Sequence, residues 1–412
     1  MDNFILLLRF ATRNLARQKV RTAMTLGSIM FGVVGLILSG GFIEDIFVQL
    51  REVTIHSRLG HLQISAQGYR EHWTRDPGKY LLDEPVSTGI TTRLEEIPEV
   101  ADSMQRLNFF GVINNGRNEL PILGEGIDAA REAAHFGRFF FVIEGRTLEA
   151  GDSHRILVGE GVAQALRLRP GALVTLLTHM PGGGLNSLEF EVVGIFRTFS
   201  REFDAHAVRL PLADAHTLLG TPGTHSVVVA LQDTALTDEA ALRIRDLFAG
   251  QGLEIWTWFE LDDFYRNTVK LYRSEFQVLQ LIILLVVLLS VANSINMTAH
   301  ERLGEFGTLR AIGLRERDIT RLILLENAVL GLVGSLAGAG AGALLAVLIS
   351  LIGIPMPPPP NSSMGYTAEI RLVPEIIAVA VVVGLVATLV SAFLAARSVR
   401  RHSLVDSLRE NV

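Results

Sequence analysis

The 412-residue chain has no cysteine and only three lysines, Lys19, Lys79 and Lys270. Without thiols it can build no disulfide framework and no thiolate metal site, and it carries no cysteine nucleophile. The shortage of lysine removes a second class. The one Gly-Lys pair, in DPGKY, lacks both the upstream glycine and the following Ser or Thr of a phosphate-binding loop, so ATP is not bound in that way here. H-E-x-x-H, G-x-S-x-G and S-x-x-K are also missing. His56 and His61 lie five apart with no third ligand nearby, which favours a core or solvated role over metal. The acidic pairs Glu95/Glu96 and Asp262/Asp263 read as solvated faces of polar helical segments. Charge itself is sparse, at 19% of residues against 49% apolar, which is too hydrophobic for an ordinary soluble protein of this size.

The apolar residues are gathered into long runs. Between Arg21 and Glu44 there are 22 uncharged residues, between Glu275 and His300 there are 24, and 21 more run from Ile376 to Ala396. Each can span a hydrocarbon core, which needs about 20. The uncharged stretch after Glu326 lasts 42 residues, but its tail, GIPMPPPPNSSMGY, holds five prolines that no continuous helix absorbs. Lys and Arg crowd three flanks, with five in residues 1–21, five in 300–321 and four from Arg397 onward, against Arg371 alone in 353–375. Cytoplasmic flanks are enriched in these residues, so both termini are expected in the cytoplasm. The resulting plan has a cytoplasmic amphipathic helix at 1–21, spans at 22–46, 273–299, 321–352 and 374–396, and an outer domain at 47–272. A cytoplasmic connection at 300–320, a proline-rich outer loop at 353–373 and a tail at 397–412 complete it. In the first segment Phe4, Leu8, Ala11 and Leu15 recur at helical spacing beside Arg9, Arg13 and Arg17, the pattern of a helix lying on the inner leaflet. It is not a cleavable signal, because the apolar run is too long and no small-residue cleavage site follows.

The outer region carries 21 Lys+Arg against 30 Asp+Glu, a soluble acidic body. This argues against nucleic acid as a partner even though arginines outnumber lysines 34 to 3. Strand-like HLQIS, helical TTRLEEI and a strand from Val100 are echoed later by SVVVAL, a helix near Asp238 and LEIWTW. Two β-α-β units at the ends predict one α+β subdomain, 47–118 with 213–272. Short strands broken by Gly and Pro over 119–212 predict a mostly β insert. Its HMPGGGLNS segment forms a hairpin tip, with His179, Met180, Pro181, Gly182, Gly183 and Gly184 as a possible partner-docking projection or an ordinary turn.

In the third span Gly334, Gly338 and Gly342 form a doubled G-x-x-x-G that lets another helix approach closely, within or between chains. Ahead of it, TAHERLGEFGTLRAIGLRERDITRLILLENAVLGL alternates charges around Gly304, Gly307 and Gly313, predicting a short helix, a turn at Gly313 and a helix running into the span. Glu326 is costly at bilayer depth and is expected to snorkel or to pair with an Arg such as Arg321.

The connection ERLGEFGTLRAIGLRERDITRLILLENAVLGLVGSLAG closely resembles the coupling segment of FtsX/MacB-type (type VII) ABC transporter permeases. The N-terminal RFATRNLARQKVRTAMTLGSIMFGV and the terminal AARSVRRHSLVDSLREN look like further family blocks. ILVGEGVAQALRLRPGALVTLL with FEVVGIFRT resembles the periplasmic core of the lipoprotein-releasing LolC/LolE branch. The resemblance implies a membrane α-helical protein with four transmembrane helices and a large α+β periplasmic domain, Porter-like at its ends with a β-rich Sabre-like insert. It further implies a non-catalytic permease subunit of the bacterial inner membrane. A cytoplasmic ABC ATPase dimer would bind ATP and Mg, and the permease would hold no cofactor itself. A second permease copy, identical or paralogous, would complete the complex. Glu301, Glu305, Phe306, Gly307, Leu309, Arg310 and Gly313 match the coupling surface. Lipoproteins or similar amphipathic cargo are the implied substrates, and a periplasmic carrier or adaptor is a possible partner, although HMPGGGLNS is shorter than the family's hook. MacB-like export and FtsX-like control of a cell-wall hydrolase are the alternatives.

Overall fold

Helical hydrogen bonding does not depend on whether side chains meet lipid or water, and the long helices of this protein outrun their apolar cores. The computed structural model describes residues 19–136, 139–357 and 365–399. The segment expected as an interfacial helix lies outside them up to residue 18, and so does the tail from residue 400. Among the described residues four helices are long and apolar enough to cross a membrane. They are α1 (Lys19–Thr54), α7 (Asp263–Glu301), α9 (Glu316–Ile352) and α10 (Pro374–Val399), with the short α8 (Leu303–Ala311) between the second and third. The helix of the second span begins at Asp263 rather than at residue 273. Arg266, Lys270, Arg273 and Glu275 exclude lipid but are compatible with a helix. Likewise α9 starts at Glu316, five residues before the expected boundary, where Asp318 caps it. The loop expected to be extended contains two paired three-residue strands, Ile354–Met356 and Tyr366–Ala368.

The chain divides into two units, a helical one made of Met1–Val48, Val269–Pro355 and Thr367–Val412, and an α+β one made of Gln49–Thr268 and Met356–Tyr366. In the helical unit Ile29, Val33 and Ile37 of α1, Val287, Val291 and Ile295 of α7, and Ala380, Ala392 and Ala395 of α10 form one buried cluster.

The α+β unit is built on ten strands: β1 (Leu62–Ala66), β2 (Val100–Asn114), β3 (Glu119–Ile127), β4 (Phe141–Gly145), β5 (Arg155–Gly159), β6 (Leu173–His179), β7 (Leu185–Arg197), β8 (Ala207–Pro211), β9 (Ser226–Leu231) and β10 (Leu253–Thr257). The order β10-β1-β9-β2 is antiparallel throughout and interleaves the two β-α-β units in the ferredoxin-like manner. The helices α2 (Glu84–Leu94) and α6 (Thr237–Leu247) cover one face of it. Ile90, Leu94, Ala240 and Ile244 pack there on Leu62, Ile64, Val227 and Val229. The second half of β2 continues into β3, β8, β5 and β7, while β6 pairs with both β7 and β2, so hydrogen bonding returns to β2 and closes a small barrel. Closure removes exposed edges. Phe109, Ile156, Leu176, Phe190, Val208 and Leu210 are part of its core. The insert is less purely β than expected. It holds α3 (Ala129–Phe136) and α4 (Glu160–Leu166), and α5 (Leu212–Leu219) follows it. Val162, Ala163 and Leu166 give α4 the helical apolar face that a strand-seeking reading passes over.

Four charged side chains meet inside this unit. Arg106 on β2 binds Glu132 of α3 through Nε at 3.1 Å and through Nη2, and donates to the Arg58 carbonyl. Arg209 on β8 donates to Glu125 on β3 at 2.8 Å, with its guanidinium stacked 4.7 Å from the centroid of Phe140. Burying such ions is costly, and removing one partner from a buried pair costs about 3–5 kcal/mol. Asp262, expected to be solvated, instead accepts the Tyr265 N–H at 2.8 Å and the Thr54 hydroxyl at 3.2 Å.

His61 is a core histidine. Its Nδ1 accepts the Leu231 N–H at 3.1 Å, so Nε2 carries the proton and faces Thr234 Oγ1 at 3.2 Å. Burial first, and then neighbouring His56, lower its pKa to about 4. A histidine held neutral by the fold takes up a proton more readily when unfolded, so its contribution to stability is present above about pH 6.5 and is lost as the pH falls toward 4. Burial raises Asp204 to about 6, which works in the opposite direction over an overlapping range, so the histidine is isolated by substitution. Trp73, Trp256 and Trp258, all the tryptophans of the chain, lie in this unit and report on its unfolding. Going from pH 7 to pH 5 should cost the native protein about 2 kcal/mol more than His61→Gln in detergent-solubilised unfolding followed by tryptophan fluorescence. Equal losses would show that His61 is not the titrating group.

Candidate coupling site

Between α7 and α9 the chain turns through a compact elbow. Leu314 N–H donates to the Leu309 carbonyl at 3.1 Å, and Gly313 takes φ +108°, a conformation that favours glycine. The carboxylate of Asp318 then accepts the Arg315 N–H at 3.3 Å, satisfying a donor at the start of α9. The residues expected to form one surface divide between two environments. Glu301 pairs with Arg21 of α1, and Glu305 and Gly313 are exposed. Gly307 is buried, and Leu309 turns inward onto Ala299, Ile319, Ile323 and Ala396. The side chains of Phe306 and Arg310 fall outside the described residues. Ile312, which the sequence reading did not single out, stands 74% exposed at the elbow. Its signal was present in RAIGLRER, where one large apolar residue sits before the turn glycine among charges.

Glu326 does not pair with Arg321, which instead faces Asp318 at 3.8 Å in the exposed first turn of α9. Its partner is Arg302, at the break between α7 and α8. Nη1 and Nη2 of that guanidinium reach the two carboxylate oxygens at 2.6 and 3.3 Å, and both side chains are less than 10% exposed. Nε of the same arginine reaches Glu305 Oε2 at 2.9 Å. A carboxylate at this depth requires a donor within the protein, and the planar fork of arginine supplies two.

The third-span glycines face α1. A Cβ on Gly334 would lie 3.0 Å from Ile29, one on Gly338 would lie 2.9 Å from Val33 and 3.0 Å from the Met30 Cα, and one on Gly342 would lie 3.2 Å from Ile37. Beyond this seam Asp45 of α1 is buried and accepts Arg371 Nε and the Glu369 N–H, each at 3.0 Å, just before α10. The sequence reading missed this pair, since nothing in the apolar pattern marks residues more than 300 apart as neighbours.

The hairpin tip lies against its own unit. His179 pairs with Leu185 across the β6–β7 ladder, and Gly183 and Gly184 both take positive φ. Met180 receives an N–H from Gly183 and donates its own to the Gly184 carbonyl, at 2.9 and 3.1 Å. Pro181 sits so close to Gly78 that a Cβ there would come within 2.6 Å of it. Pro181, Gly182, Gly183 and Gly184 are solvent-exposed on the other side.

Comparison with known proteins brings both units under family descriptions. The MacB-like periplasmic core domain matches residues 22–247, more than half of the chain, and the FtsX-like permease C-terminal family matches 278–404. An uncharacterized ABC transporter permease of Methanocaldococcus jannaschii, MJ1507, is 22% identical over 65% of this chain and 65% of its own length. The lipoprotein-releasing system transmembrane protein LolC of Neisseria meningitidis is 23% identical over 79% of this chain and 76% of its own. The pyoverdine export ATP-binding/permease protein PvdT of Pseudomonas syringae pv. syringae is 25% identical over 84% of this chain, which spans only 53% of that relative.

The glycine seam gives a test with an internal control. A Cβ on Gly340, two residues from Gly338, would meet nothing within 4 Å. Gly338→Leu should therefore force α1 away and destabilise the protein by about 1–3 kcal/mol, while Gly340→Leu leaves it near native. Thermal aggregation in detergent compares the two, and equal midpoints would refute the seam.

Proposed function

The chain belongs to the FtsX-like and MacB-like family of ABC transporter permeases, and from that premise we propose that it couples a partner ATPase to the release of lipoproteins or similar amphipathic cargo from the inner membrane. The observation that carries this reading is the size of the match. The similarity to LolC extends over more than three quarters of both lengths. The two family matches give this chain the permease role, and in this reading ATP and Mg are held by a cytoplasmic ATPase dimer. The elbow and both termini face that dimer, and the α+β unit faces the periplasm. A second permease, identical or paralogous, completes the assembly.

Glu301, Glu305 and Gly313 supply the polar part of the ATPase contact, and Ile312 supplies an apolar anchor that becomes desolvated on docking. Gly307 and Leu309 act from beneath, holding α8 on the bundle. In the periplasm the tip formed by Met180 to Gly184 offers a small docking surface for a carrier or adaptor. A MacB-like export reading is the second choice, supported by the coverage of 84% of this chain by PvdT.

Isolated from its native membrane with its ATPase, the complex should turn over ATP several-fold faster with a lipidated protein than with the same protein lacking its acyl chains. Equal rates, with lipoprotein retained in vesicles after ATP is added, would eliminate lipoprotein release. Ile312→Asp should weaken ATPase co-purification about tenfold, or ~1.4 kcal/mol, with membrane insertion intact. Full retention of the ATPase would move the contact elsewhere.

A further inference from the structure

Arg302 has a place that its neighbours do not share. It is the residue between two helices, after α7 ends at Glu301 and before α8 begins at Leu303. Its guanidinium is buried and binds carboxylates on two different elements, Glu305 on α8 at 2.9 Å and Glu326 on α9 at 2.6 and 3.3 Å. A helix break alone behaves as a hinge, free to flex where the backbone hydrogen bonds are interrupted. Here the hinge residue itself is tied to the helix that follows it and to α9. The tie to Glu326 is the harder to break, because parting those two leaves both charges buried without compensation, whereas Glu305 is exposed. Beneath it, Leu309 of α8 packs with Ile319 and Ile323 of α9, so the polar clamp and an apolar contact join the same two helices.

We infer that Arg302 is a positioning residue that clamps the elbow helix α8 to α9, so that displacement of the elbow carries the third span with it instead of being absorbed at the turn around Gly313. The inference rests on the coupling reading above for the origin of the displacement, while the clamp itself is a property of this chain alone. Coupling of this kind requires a physical element that moves as one body, and the three-carboxylate-oxygen grip of a single guanidinium provides it.

The absence of cysteine makes the clamp measurable, because Thr308→Cys on α8 and Leu336→Cys on α9, both at exposed positions, would be the only thiols in the chain. Spin labels there should give one narrow distance distribution in the native full-length protein. Arg302→Gln should broaden it at least twofold. Should that variant fail to fold, Arg302→Lys carries the test. Its ammonium is a point charge that cannot reproduce the fork, and its distribution should be wider than native but narrower than that of any folded Gln variant. A native-width distribution in either variant overturns the clamp.

In the complex with the ATPase, Arg302→Gln should retain assembly and basal ATP hydrolysis but abolish the ATP-dependent mobility change of a label at Ile352→Cys, at the far end of α9. Loss of hydrolysis without loss of that response would overturn the transmission role, since a merely structural arginine would give general instability. If the otherwise native complex shows no ATP response at Ile352, the coupling reading fails, and with it transmission, while the distance widths decide the clamp independently.

Discussion

A carboxylate in an apolar helix has no water to satisfy it, and the helical unit is arranged around the way Glu326 meets that requirement. The buried residues of α9 form a continuous stripe from Ile319 and Leu322 through Glu326 and Leu330 to Gly334, Gly338 and Gly342. Turning this stripe inward brings the carboxylate with it, and a matching donor must then lie within the bundle. Arg302 can be that donor only if α7 ends where it does and α8 folds back toward α9. The elbow's geometry, the rotation of the third span and the close approach of α1 are therefore mutually dependent. Replacing a buried ion pair with apolar residues of similar volume is often neutral for stability. What the charges add is directionality, since a bidentate fork fixes orientation where apolar packing does not.

The α+β unit meets the same constraint in different surroundings. Arg106, Arg209, Glu125 and Glu132 are buried where β2 leaves the ferredoxin-like layer and enters the closed barrel. At that point one strand serves two cores, one containing Ile64 and Val229 and the other Phe109 and Ile113. Apolar packing alone tolerates small shifts of one layer against the other. Paired charges on β2, β3, β8 and α3 do not, because each has a specific partner. With no disulfide available, this network and the barrel's closure take over the task of holding the two halves in register.

Much of this was legible in the amino-acid order, and what was hidden follows a physical pattern. Uncharged runs locate the spans, because lipid excludes charge whatever the tertiary fold. The small side chains of Gly334, Gly338 and Gly342 announce a close neighbour but not which one, since Ile29, Val33 and Ile37 resemble any other apolar residues of a span. Helix ends were misplaced at Asp263 and Glu316 because hydropathy detects the membrane boundary and not the end of the hydrogen-bond ladder. The Arg302–Glu326 pair was missed because Arg321 looks closer along the chain. It points away, however, on the exposed side of α9, while the turn at Gly313 returns residue 302 to the buried side. Within the candidate site, Gly307 and Leu309 were grouped with Glu301 and Glu305 by position in a motif, which cannot distinguish residues that face a partner from those that hold the segment in place.

The distribution of polar contacts along the bundle bears on how it can move. Near one end, Arg302 joins α8 to α9 and Arg21 meets Glu301. Near the other, Asp45 holds Arg371 and the Glu369 backbone, and Ser350 exchanges hydrogen bonds with the Ile370 backbone. Between them α1 and α9 touch through glycine, with backbone so close to side chain that neither helix can bow toward the other. Bending at mid-span would open an apolar void, and sliding would separate ion pairs at both ends together. Rotation of the linked helices as one body disturbs neither. The chemistry of these contacts therefore favours motion of the linked helices as one body, with compliance confined to the surface they turn outward.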